Sequence, residues 1–187
     1  MEEEAKFCVE LAKEKMDKAI RHLEDELIHV RAGKATPAIL DGITVDYYGA
    51  VTPLSQVSNI GTPDARTIVV QPWEKTMLAV IEKAILYANI GLTPMNNGEI
   101  IRLNIPPLTE ERRKSLVKQV KTMGENTKIS IRNARRDAND ELKKLMKNGL
   151  PEDIEKESQE RVQHMTDEYI NKIDVIVAGK EKDIMTV

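Results

Sequence analysis

The chain has little with which to build covalent or cofactor chemistry. Cys8 is its only cysteine, so no internal disulfide can form and nothing points to an oxidising compartment; a buried thiol is expected. Of three histidines, His22 and His29 stand seven apart, not at the four-residue interval of a helical zinc pair, and all, with His164, are read as surface groups. There is no glycine-rich phosphate loop, no serine elbow and no histidine near Cys8. "RRDANDE" lacks the alternating oxygens and sixth-position glycine of a calcium loop, so Asp137, Asp140 and Glu141 read as solvated partners of the neighbouring arginines. These gaps argue against an enzyme, a bound metal and a cofactor. Aromatics are only 3% of the chain, too few for stacking single-stranded bases. No window reaches the roughly 20 apolar residues of a membrane span, and "MEEEAKFCVE" lacks the basic-then-apolar order of a secretory signal. A soluble, cytoplasmic protein is expected.

What is present is charge and helical periodicity. Charged residues are 32% and apolar residues 41%, enough for a core and typical of long exposed helices. Over residues 1–30, Ala12, Met16, Ala19, Leu23, Leu27 and Val30 recur at three and four, an amphipathic helix ended by Gly33 and Pro37. A second run covers 109–147, with Leu116, Val120, Met123, Ile131, Ala134, Ala138, Leu142 and Leu145 on one side. Thr109 caps its start, and "KNGLP" stops it. A third helix begins near Pro151, its stripe being Val162, Met165, Tyr169, Ile173 and Ile176.

The middle differs in kind. "ITVDYYG" alternates as a half-buried strand, "RTIVVQ" reads as a more buried one, a short helix spans 77–88, and Asn97-Gly98 turns into the strand "EIIRLNI". Trp73 is expected in the core or lid of this unit; an exposed Trp73 would instead mark a contact for a protein partner. The flanking helices must bury their stripes against one another. The fold class is therefore α+β: a three-helix bundle of 1–30 plus 106–187, with a small β-rich α/β domain, 31–105, inserted between its first and second helices. Hinges are placed near 31–37, at Gly33, and near 104–108, at Pro106 and Pro107. The second helix spans roughly 60 Å, which makes the bundle elongated.

Charge is segregated along this plan. Residues 106–147 carry twelve basic against six acidic groups, while the flanking bundle segments 1–30 and 148–187 are acidic, by −4 and −5. Lys114, Lys118, Lys121, Lys128, Arg132, Arg135 or Arg136, and Lys143 share one side of the second helix, about a third of a turn from its apolar stripe. These cations either pair with carboxylates of the other two helices or face a polyanion. Arginine favours the second reading, because its planar fork fits phosphates. The target is then structured RNA held by backbone and shape.

"VRAGKATPAILDGITVDYYG", "PPLTEERRKSLVK", "IRNARRDAND" and "LPEDIEKESQERVQHMTDEYI" together resemble the bacterial ribosome recycling factor family over nearly the whole chain. The resemblance implies an L-shaped, hinged molecule. It further implies a translation factor that binds the post-termination 70S ribosome through large-subunit rRNA. With elongation factor G and that factor's GTP hydrolysis, it would then split the ribosome into subunits. By motif, the RNA-binding residues would be Arg31, Arg132 and Arg135, with Arg136 adjacent; Lys121 and Lys128 join them from the cation stripe. Lys34 stands where many members have arginine, which keeps the charge and loses the bidentate geometry. A monomer without membrane contact is expected. Two other readings stay open: a helical scaffold for protein partners, and a phosphate-handling enzyme in the middle domain using Arg66, Lys75 or Arg102.

Overall fold

Glu2–Ile28 form helix α1, where an unbroken three–four apolar spacing meets three glutamates in the first turn, the end at which the helix dipole favours anions. The structure, a computed structural model, describes residues 1–30 and 32–186. After α1 come strands β1 (Thr44–Tyr47), β2 (Ala50–Pro53), β3 (Ser58–Asp64) and β4 (Thr67–Pro72), helix α2 (Leu78–Tyr87), strands β5 (Pro94–Asn96) and β6 (Ile101–Asn104), and helices α3 (Glu110–Lys147) and α4 (Glu152–Met185). The chain divides into two compact units: Met1–Val30 with Arg113–Val187, and Arg31–Arg112.

The first unit is a three-helix bundle. Met16, Leu23, Val120, Ile131, Leu142, Val162, Ile173 and Ile184 are fully buried, which puts the apolar lines of all three helices into the core. α3, at 38 residues, is about 57 Å long. Its N-terminus is capped by Thr109, whose Oγ1 accepts from the Arg112 backbone N–H at 3.1 Å. α3 and α4 pack closely at Gly124, where an added Cβ would lie 2.7 Å from Val177 Cγ2. Cys8 is half-buried rather than buried, because it sits at the edge of the Ala5, Leu142 and Leu150 cluster. Partial burial, then the Glu141 and Glu4 carboxylates, push its thiol pKa up.

A polar contact also locks α1 to α4. The buried Tyr169 hydroxyl donates to Asp17, and Lys172 lies 4.7 Å from the ring centroid. Burial and then the Asp17 hydrogen bond push the Tyr169 pKa up to about 12, against about 10 for a free tyrosine. The contact therefore stabilises the fold fully below pH 10 and is lost as pH rises through 12. Tyr169→Phe is expected to lower stability by about 1–2 kcal/mol at pH 8. That deficit should narrow between pH 10 and 12, as read from denaturant midpoints.

The second unit holds a four-stranded antiparallel sheet in the order β3-β4-β6-β5 and a β1-β2 hairpin. Ile68, Val70, Ile101 and Leu103 face Ile81 and Ile85 of α2 in a fully buried core. Three strands go beyond the sequence expectation. β3 and β5 carry Pro63 and Pro94, which read as loop signals, yet both are edge strands, where a missing N–H costs no ladder bond. β2 escaped because Val51 is exposed, and Tyr48 leaves the expected alternation to occupy a turn at φ 50°. Trp73 is 61% exposed, not core: Pro72 before it is buried, and the chain turns outward there.

Candidate nucleic-acid interface

One long helix presents the basic residues, and its geometry sorts them. At about 100° per residue, Lys128 and Arg135 lie about 60–80° from the centre of α3's buried line, Arg132 about 120°, and Lys118 and Arg136 about 160°. The near pair reaches the neighbouring helix. Lys128 Nζ lies 2.6 Å from Asp174 on α4 and 3.4 Å from Glu125, and its side chain is only 17% exposed. The Asp174 hydrogen bond chiefly raises its pKa, against the opposing effect of burial. Arg135 donates from Nη1 to Gln163 Oε1 at 2.9 Å, and Gln163 Nε2 donates onward to Asp167 at 2.9 Å.

The far group stays in solvent. Lys118, Lys121, Arg132, Arg136 and Lys143 are exposed, and none makes an ion pair with a described residue. Arg135's direct partner is a neutral amide, so no carboxylate of a described residue cancels its charge by contact. Of its terminal nitrogens only Nη1 is engaged with a described residue, which leaves Nη2 as a donor, while the buried Nε has no partner among the described residues. Arg31 lies outside the described residues.

Two of the three carboxylates of "RRDANDE" pair with lysines, and none pairs, as the sequence suggested, with an arginine among the described residues. Asp137 meets Lys15 of α1 at 3.3 Å, and Glu141 meets Lys144 at 2.7 Å. Asp137 lies on the helix side facing away from the arginines, where α1 passes. The histidines are exposed with local partners: His22 with Glu26, His29 with the Asp25 carbonyl, His164 with Glu168. Among the described residues no three His, Cys, Asp or Glu side chains gather as a metal cluster.

Sequence reasoning missed Gln163 and Asp174. The signal available was angular, since a cation within about 80° of an apolar line can reach the next helix in a bundle. Arg66 and Lys75 flank β4 at its two ends, about 20 Å apart along an extended strand, so they do not converge with Arg102 on one phosphate. Gly33 has φ +73° and abuts Leu108, whose Cγ would stand 2.9 Å from a Cβ there. The ingoing and outgoing connections of the β-rich unit therefore touch. Pro106 and Pro107 are exposed and outside regular structure.

A helical bundle with a solvent-facing cation line, interrupted in sequence by a β-rich unit, places the protein among α+β proteins with an extended charged helix face. The ribosome recycling factor family profile matches residues 23–185. The ribosome-recycling factors of Flavobacterium johnsoniae and Phocaeicola vulgatus are 58% and 56% identical, covering 100% and 98% of this chain and 100% and 99% of theirs. A solution structure of a ribosome recycling factor superposes with a TM-score of 0.82 at 36% identity, covering 98% of each chain. Another solved structure is described as models for the T. thermophilus ribosome recycling factor and the E. coli elongation factor G bound to the E. coli post-termination complex. It matches with a TM-score of 0.65 at 44% identity, covering 97% of this chain and 99% of that one. The chain belongs to the ribosome recycling factor family, and it is a translation factor, not an enzyme. No helix among the described residues is long and apolar enough to cross a membrane.

Proposed function

We propose that this protein acts in the cytoplasm as a monomer, binds the post-termination ribosome through large-subunit rRNA, and separates the subunits with elongation factor G. GTP hydrolysis by that factor supplies the work. The observation that carries the reading is the group Arg132, Arg136 and Arg135: two exposed guanidiniums without an ion pair among the described residues, and a third held by a neutral amide. Lys121 adds to the same line. Lys128 contributes only after exchanging Asp174 for phosphate. Arg31 is included on its "VRAGKA" motif. Bundle and β-rich unit turn against each other about the segments around Gly33 and Pro106-Pro107. Glycine permits a backbone that other residues resist, and the prolines keep the return segment extended. A family relative described with elongation factor G on a post-termination complex supports the partner assignment.

The test is cosedimentation with 70S ribosomes and with isolated large subunits across a salt series. With about five free cations on phosphates, log affinity should fall against log salt with a slope of about −4. A flat response would mean that the contact is mainly with protein. Binding to small subunits alone would overturn the rRNA assignment.

A further inference from the structure

Two of the protein's six aromatic residues, Tyr47 and Tyr48, meet at Glu74 on the β-rich unit, and a third, Trp73, precedes Glu74 in the chain. The Tyr47 hydroxyl donates to Glu74 Oε1 and the Tyr48 hydroxyl to Oε2, each at 2.8 Å, so the carboxylate is held by both oxygens. The two rings pack edge to face with centroids 4.7 Å apart. Tyr48 is 81% exposed, and Trp73 and Val51 are exposed too. Glu74 forms no ion pair with a described residue, not even with its chain neighbour Lys75.

Exposed tyrosine and tryptophan are the side chains that most often anchor interfaces, and nothing in the core requires these two. Each Glu74 oxygen accepts one hydroxyl and keeps a lone pair, which leaves a two-pronged acceptor beside aromatic faces. We propose that Glu74 and Tyr48 form a docking site for an arginine side chain presented by a protein partner, with the exposed Trp73 next to Glu74 in the chain. A guanidinium matches the paired oxygens and stacks on an aromatic face, whereas an ammonium offers only a point charge. A nucleic acid is disfavoured because the carboxylate repels its phosphates. Both tyrosine hydroxyls are protonated donors at neutral pH, and the hydrogen bond to Glu74 pushes their pKa values further up. The site belongs to the β-rich unit and the arginines of α3 to the bundle, so the proposal does not depend on the RNA-binding reading.

Trp73 is the only tryptophan and the chain neighbour of Glu74, so its emission reports on this stretch of the β-rich unit. Full-length protein is titrated at physiological salt with hexa-arginine, hexa-lysine and a single-stranded RNA hexamer. Hexa-arginine should give a saturable emission change with affinity about tenfold above that of hexa-lysine. Glu74→Gln and Tyr48→Phe, both at positions outside the core, should each weaken it by about tenfold and about threefold respectively, with unchanged circular dichroism. Peptide bound elsewhere on the acidic helices would not respond to these substitutions. Equal response to the two peptides, indifference to Glu74→Gln, or tighter binding of the RNA would overturn the proposal.

Discussion

The double variant Arg132→Glu, Arg135→Glu is expected to bind 70S ribosomes about 10²- to 10⁴-fold more weakly while keeping wild-type helicity and melting. A guanidinium–phosphate hydrogen bond contributes about 1.5–3 kcal/mol, and losing two gives about 3–6 kcal/mol, at about 1.4 kcal/mol per tenfold. Introduced carboxylates add repulsion, which places the result toward the larger loss. Stability should change little, because Arg132 is exposed and Arg135 gives up only a hydrogen bond to the exposed Gln163. Equilibrium sedimentation measures the affinity and circular dichroism the fold. An affinity within about twofold of wild type would reject the cation line as the RNA contact.

One residue earlier on the same helix the effect should invert. Ile131 is fully buried in the bundle, and Ile131→Ala is expected to cost about 2–5 kcal/mol through lost transfer energy and the cavity left behind. The drop is read from urea midpoints at constant slope. Ribosome affinity at temperatures where the variant remains folded should match wild type, salt slope included. A large loss of affinity in the folded variant would show that the core and the cation line are not independent faces of α3. The pair of experiments separates what α3 does for the bundle from what it offers outward.

Much of this was legible beforehand, and the reason differs by element. The three long helices announce themselves because a 3.6-residue period sustained over 27 to 38 residues has no competing local solution. β6 was legible from the alternation of Ile101 and Leu103 with Arg102 and Asn104. β3 and β5 were not, because Gly61, Pro63 and Pro94 are loop residues by local preference and strands only through pairing with β4 and β6. The candidate interface divides in the same way. That α3 carries a basic stripe is a property of spacing. Which of its cations are engaged inside the molecule depends on Asp174 and Gln163, which lie 46 and 28 positions from their partners Lys128 and Arg135.

By itself the sequence determined the helix faces, the segregation of charge onto α3 and the insertion of a β-rich unit between α1 and α3, since period and composition are local quantities. Only the tertiary structure decided that Lys128 is bridged while Arg132 has no ion pair among the described residues, that edge strands form from proline-bearing segments, that Trp73 lies outside, and that the carboxylate after it is held by two tyrosines. Those outcomes rest on contacts between residues far apart in the chain, and no local pattern encodes the distance between side chains that folding brings together.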